Sequence, residues 1–248
     1  MWRCFCSLEE GALMPTVNDF VFREPAEKSR EIARRDMQSI SPSYTRSYGF
    51  TVSHGRGAKV WDVDGNSYID FASGIAVLST GYSHPRIVKA IQEQAEKYIH
   101  IGGTDFFSPE PVELAEKLQR LTPIKGAQPQ DKRVYFGNSG AEAVESALKL
   151  ARYATGRPYV IGFYGAFHGR TMGALSVTAS KAIQRANYPY IPGGVEHVHY
   201  PNRQQPSPFG DPITYIKDVI LKKKMPADEV AAIIVEPIQG EGGYIVPP

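Results

Sequence analysis

Val134-Tyr135-Phe136-Gly137-Asn138-Ser139-Gly140-Ala141-Glu142-Ala143-Val144-Glu145-Ser146-Ala147-Leu148-Lys149-Leu150-Ala151-Arg152 is the stretch around which the rest of the chain is organised. Val134–Phe136 is β-prone and breaks at Gly137-Asn138, two residues at home in turns. Ser139 then opens a helix, and Glu142 three residues later completes a capping-box pattern. Val144, Ala147, Leu148 and Ala151 recur at i, i+3, i+4 and i+7, which gives the helix one apolar face to lay on a sheet. Gly140 and Ala141 carry almost no bulk, so a ligand can approach the first free N–H groups. That makes an anion site, best suited to phosphate. The helix dipole contributes about 0.3–1 kcal/mol at an exposed terminus. A hydrogen bond to a charged group contributes about 1.5–3 kcal/mol, so two or three converging amides outweigh the dipole. An ordinary capped helix after a strand has the same signature, and this motif alone leaves both readings open.

Outward from that stretch, short apolar strands alternate with helices. Tyr159–Phe163, Val195–Tyr200 and Val230–Val235 read as strands. The last is apolar throughout, the pattern of a strand covered on both faces. Asp211 caps and Pro212 begins a helix with Ile213, Ile216, Val219 and Ile220 inward, and Lys222–Lys224 at its C-terminal end suit the dipole. Such alternation predicts an α/β fold with a mainly parallel sheet and flanking helices. Earlier in the chain, a helix is expected over Ser29–Met37. A β-hairpin is expected over Lys59–Phe71, turning at Asp64-Gly65. Phe71–Val77 is small and apolar, suited either to lining a cavity or to a tightly packed connector. Pro85 opens a helix whose face holds Ile87, Val88, Ile91, Ala95, Tyr98 and Ile99, with His84 as cap or packing residue. A further helix covers Pro111–Leu121.

Composition bounds the function. With 248 residues, 42% hydrophobic, the chain can bury one large core or two modest ones. The charge balance of 28 basic against 26 acidic residues gives no whole-chain sign of a nucleic-acid partner. No apolar run reaches membrane-spanning length. Cys4 and Cys6 are the only cysteines, too few for a zinc site by themselves, and fit a reducing compartment. Residues 1–13 lack the apolar core of a signal peptide and read as a disordered extension ahead of Met14.

Two more clusters follow strands, where open α/β sheets gather ligands. Tyr164-Gly165-Ala166-Phe167-His168-Gly169-Arg170-Thr171 offers a ring for stacking and a guanidinium fork for a carboxylate. Val235-Glu236-Pro237-Ile238-Gln239-Gly240-Glu241-Gly242-Gly243 adds two carboxylates and an amide in a backbone loosened by glycine. A phosphate cradle, an aromatic plate, a carboxylate clamp and acids at strand ends together describe a planar phosphorylated cofactor handling an amino acid.

With these three motifs in this order, the chain closely resembles the class III, fold-type-I aminotransferases, which use pyridoxal 5'-phosphate. The resemblance runs from about Tyr48 to Pro248. It implies that Ser139, Gly140 and Ala141 hold the cofactor phosphate, that Phe167 stacks on the ring and that His168 beside it is positional. It implies further that Arg170 binds a substrate carboxylate, that Glu241 is a gate acid paired with a distant arginine, and that Glu236 supports that gate. Ile75 falls on the substrate side, where ornithine aminotransferases carry tyrosine, which disfavours an ornithine-specific enzyme. The implied organisation is an N-terminal small-domain segment with the hairpin over 14–76 and an incomplete cofactor-binding large domain over 77–248. The family's aspartate and Schiff-base lysine fall beyond Pro248, so no catalytic residue is expected here. The chain is expected to be an N-terminal fragment, inactive by itself. The implied reaction moves an amino group from an amino acid or ω-amino acid, of 4-aminobutyrate or acetylornithine type, to a 2-oxo acid. A racemase or aminomutase of the same fold, or a non-catalytic remnant, are the alternatives. A cytoplasmic homodimer of the full-length parent, without nucleic acid, membrane or metal, completes the expectation.

Overall fold

In the computed structural model the described residues are Pro25–Pro248 without Thr45, Ser47, Pro189, Tyr190 and Gln205, so Cys4, Cys6 and the expected extension over residues 1–13 lie outside them. The chain divides into two units, Met1–Ser108 and Pro109–Pro248.

In the first unit, helix α1 (Glu27–Ser39) begins after Ala26, whose side chain cannot cap. The cap comes from the hairpin turn instead. Asp64 accepts from the backbone N–H of Lys28 (3.1 Å) and Ser29 (3.0 Å) and from the Ser29 hydroxyl (2.6 Å). Strands β1 (Val52–Arg56), β2 (Lys59–Asp62) and β3 (Ser67–Ile69) form an antiparallel sheet in that order. The expected hairpin is β2–β3, with Gly65 at φ +91° in its turn. The sequence reading missed β1, whose Val-Ser-His-Gly-Arg sequence hardly alternates and is mostly exposed. The connector after Phe71 becomes α2 (Ser73–Ala76), a left-handed turn with φ of +48°, +62°, +61° and +62°. It is neither a tightly packed connector nor the lining of a cavity within this unit, since Phe71, Ile75 and Val77 are exposed. Helix α3 (Pro85–Lys97) starts at His84, whose Nδ1 accepts from Arg86 N–H at 3.3 Å, the capping role expected of it. Its apolar stripe forms only in part: the helix ends at Lys97, Tyr98 is extended and Ile99 lies beyond it. Val88 is exposed, and Ile87, Ile91 and Ile99 are exposed along an open groove.

The second unit opens with α4 (Pro109–Leu121) and reaches α5 (Gly140–Thr155), the helix of the deciding stretch. Strand β4 (Tyr159–Phe163), helix α6 (Met172–Val177) and strand β5 (Val195–Val198) follow. Then α7 (Pro212–Tyr215) runs through a π turn at Ile216–Ile220 into α8 (Leu221–Lys223), and β6 (Val230–Ile233) closes the order. The three strands are parallel in the order β5-β4-β6. Alternation along β4 divides the core between the two faces of the sheet. Val160 packs with Leu148 of α5 and Val177 of α6. Ile161 and Phe163 pack with Val198, Tyr200, Ile216 and Ile220.

Three expectations fail here. Val134–Phe136 is no strand, because a strand exists only within a ladder and no described residue pairs with it. Strand β6 is covered less than its composition suggests. Val230 and Ile234 pack on opposite clusters, but among the described residues the strand is a sheet edge paired with β4 alone, and Ile233 remains 53% exposed. Ile213 points outward while Ile216 and Ile220 are buried. Ile213 sits in the first turn of α7, ahead of the π turn, where the buried stripe of Ile216 and Ile220 has not yet begun.

Candidate active site

Ser139 is extended at φ −154° and caps α5, its Oγ accepting from Glu142 N–H at 3.1 Å. The other half of the expected capping box is displaced by one residue. The Glu142 carboxylate accepts from the backbone and side-chain nitrogens of Asn138 rather than from Ser139. The N–H groups of Gly140 and Ala141 have no protein acceptor among the described residues, as the first turn of a helix requires. A Cβ built on Gly140 would have nothing within 4 Å. The helix therefore offers free amides beside open space.

The loop from β4 to α6 closes one side of that space. Gly169, at φ +130°, lies so close to the cradle that a Cβ there would sit 2.8 Å from Ala141 Cβ and 3.0 Å from Ala174 Cβ. Phe167 is half-buried, and the Arg170 guanidinium carbon stands 5.9 Å from its ring centre. Ring and guanidinium are thus neighbours on the loop that Gly169 brings against Ala141. The Phe167 N–H donates to Glu236 Oε1 at 2.8 Å, and Gly240 N–H donates to Glu236 Oε2 at 3.0 Å. One carboxylate thereby joins the loops that follow β4 and β6. Buried Gln239 donates from Nε2 to the Tyr164 carbonyl at 2.8 Å. Its Oε1 would lie 2.6 Å from a Cβ on Gly165 and 2.3 Å from one on Gly242, so both positions require glycine. The Tyr200 hydroxyl donates to the Glu236 carbonyl at 2.9 Å.

His168 N–H donates to the Thr178 hydroxyl at 2.9 Å, and its ring Nε2 is buried with no partner among the described residues. Burial pushes its pKa below the ordinary histidine value, against the opposing pull of Glu236, so the imidazole is neutral at pH 7. Glu241 is exposed and pairs with Lys181 at 2.8 Å. Ile75 belongs to the first unit, where it is exposed at φ +61°. Sequence reasoning passed over Thr178, whose buried hydroxyl also bonds the carbonyls of Gly169 and Ala174, and Glu145, which bonds Thr171. A polar residue in an apolar stretch marks the first. Nothing in helical spacing marks the second.

The profile of the aminotransferase class-III family matches residues 40–248. The chain is 42% identical over 220 residues to the acetylornithine aminotransferase of Methanothermobacter thermautotrophicus, covering 89% of this chain and 50% of that protein. It is 35% identical over 242 residues to the alanine/serine racemase of Pyrococcus horikoshii, covering 92% and 50%. Among solved structures, the taurine:2-oxoglutarate aminotransferase of Bifidobacterium kashiwanohense, in complex with pyridoxal phosphate and glutamate, matches with a TM-score of 0.76. That match has 27% identity and covers 92% of this chain and 51% of that one. The chain spans about half the length of the relatives it matches.

Proposed function

The chain belongs to the class-III aminotransferases, with the fold-type-I architecture of its structural neighbours. On that premise we propose that it carries the phosphate cradle, ring plate and carboxylate clamp of a pyridoxal-phosphate-dependent aminotransferase. The approach of Gly169 to Ala141 carries this reading, because it sets the aromatic loop against free helix-terminal amides. The residues fit the group: unpartnered N–H groups face open space at Gly140, beside a half-buried ring. When bound, pyridoxal phosphate supplies a ring that draws off the electron pair left at the substrate carbon.

The chain's own residues then have distinct tasks. The Ser139 hydroxyl and the Gly140 and Ala141 amides hold the phosphate. Phe167 covers the ring and neutral His168 packs beside it without moving a proton. Arg170 orients the substrate carboxylate, and Glu241, held by Lys181 in this structure, exchanges partners when a second carboxylate arrives. Glu236 supports that gate through the loops it joins, and Ile75 contributes to substrate choice. We take 14–76 as the small-domain segment and 77–248 as the cofactor-binding part of the complete enzyme. The amino donor is of the ω-amino or acetylornithine type and the acceptor is a 2-oxo acid such as 2-oxoglutarate, in a cytoplasmic homodimer. None of the lysines here stands in the context of a cofactor anchor.

Gly140→Val tests the cradle in the complete enzyme. Losing the approach to two amides should weaken the cofactor more than about tenfold in an absorbance titration. Equal affinity overturns the assignment. Similarity to a racemase favours one second reading, amino-acid racemisation on the same site. Loss of optical purity in a single amino acid, with no 2-oxo acid consumed, would select it.

A further inference from the structure

Glu145 stands on the second turn of α5, inside the stretch that builds the cradle, yet its carboxylate serves the neighbouring loop. Its Oε1 accepts from the Thr171 hydroxyl at 2.6 Å, from Gly173 N–H at 2.8 Å and from Ala174 N–H at 3.0 Å. These donors lie where the Phe167–Thr171 loop turns into α6. Two of them are N–H groups of the first turn of α6, which the helix itself cannot satisfy. Thr171 at the N-cap makes no side-chain cap bond to those amides, so Glu145 supplies the acceptor from another element. Gly173 is fitted to it: a Cβ there would meet Glu145 Oε2 at 2.1 Å.

We propose that Glu145 is the positioning residue that ties the Phe167–Thr171 loop to the cradle helix and so sets the distance between phosphate cradle, ring plate and carboxylate clamp. The proposal rests on the aminotransferase reading only for what the loop holds; the anchoring is a property of the chain itself. Charge matters because hydrogen bonds to an ionised acceptor are about twice as strong as neutral ones. Burial raises the pKa of Glu145, but the Thr171 hydroxyl and the two amides outweigh it and hold the group below the ordinary carboxylate range. The carboxylate is therefore ionised at neutral pH.

Hydrogen exchange on the 248-residue chain tests the anchor directly. Glu145→Gln should speed exchange across Phe167–Ala174 by about tenfold. Gly173→Ala, which crowds the carboxylate from the other side, should move it in the same direction. Leu148→Ala, which loosens the packing of α5 without touching the loop, serves as the control for lost stability. In the complete enzyme, Glu145→Gln should raise KM for the amino donor about tenfold with kcat changed far less, and should shrink the visible circular dichroism of the bound pyridoxal phosphate. Leu148→Ala should lower the unfolding temperature and leave both unchanged. Unchanged exchange in the loop overturns the proposal, and so does a Glu145→Gln enzyme with wild-type KM and dichroism, whatever its stability. If the wild-type enzyme binds no pyridoxal phosphate, the functional reading fails and exchange alone decides the anchor.

Discussion

Gly169 is the residue on which the site's geometry turns. Its φ of +130° lies in a region that residues with a Cβ avoid, and that atom would press into Ala141 and Ala174. Gly169→Val should therefore destabilise the second unit by about 1–3 kcal/mol or push the loop off the cradle. A urea titration followed by helix signal measures the first, and a wild-type midpoint would remove the steric argument. Asp62 is the corresponding keystone of the first unit. Burial raises its pKa, but bonds from the Asn66 amide group, Asn66 N–H, the Tyr68 hydroxyl and Asp64 N–H overcome this, leaving it below the ordinary carboxylate value. A depressed folded pKa stabilises at pH above the unfolded value of about 4, and that contribution fades as pH falls through the folded pKa. The neighbouring Trp61 reports the hairpin, so its fluorescence should show acid loss of structure that is shallower in Asp62→Asn. Parallel profiles for the two proteins would assign the acid sensitivity elsewhere.

At the scale of the element, several helices here begin where a side-chain acceptor reaches the first turn, and the source of that acceptor varies. Ser139 and Asp211 cap from their own N-cap positions, the latter accepting from Thr214 N–H at 2.8 Å. Asp64 caps α1 from a hairpin and Glu145 caps α6 from another helix. Ser139→Ala should cost about 1 kcal/mol. The loss should appear as faster amide exchange in the first turn of α5, with the last turn, up to Thr155, unaffected. If both ends loosen equally, the capping bond is not what holds the cradle in place. At the left-handed turn Ser73–Ala76 the acceptor is Asp70, which takes the N–H groups of Ala72 and Ser73.

For the whole molecule, uncovered apolar surface governs behaviour. Strand β6 leaves one edge unpaired among the described residues, with Ile233 and Val235 half-exposed, and the face of α3 is open. An unpaired apolar edge templates association, and a net charge of only +2 does little to oppose it. The 248-residue chain should associate with rising concentration on size exclusion, and Ile233→Lys should shift it towards smaller species. A wild-type chain that stays monomeric at high concentration would show that these surfaces are harmless. No described helix is long and apolar enough to cross a membrane.

Much of this was legible in local chemistry. The Ser139 cap, the α5 stripe on Leu148, the Asp64-Gly65 turn, the Asp211-Pro212 start and the strand at Tyr159–Phe163 each depend on residues a few positions apart, and each formed. The order of the three glycine-bearing motifs likewise identified the family. What depends on long-range contact was decided only in three dimensions. Val134–Phe136 has strand chemistry but no ladder, and β6 has a buried strand's composition at an edge. Ile213 has the right spacing but lies outside the buried stripe, which begins only at Ile216, and no periodicity announces where cover starts. Glu145 passed unnoticed, and the bond of Glu236 to the Phe167 loop was not foreseen, because an acid's own neighbours in sequence say nothing of the N–H groups that a different loop will bring to it.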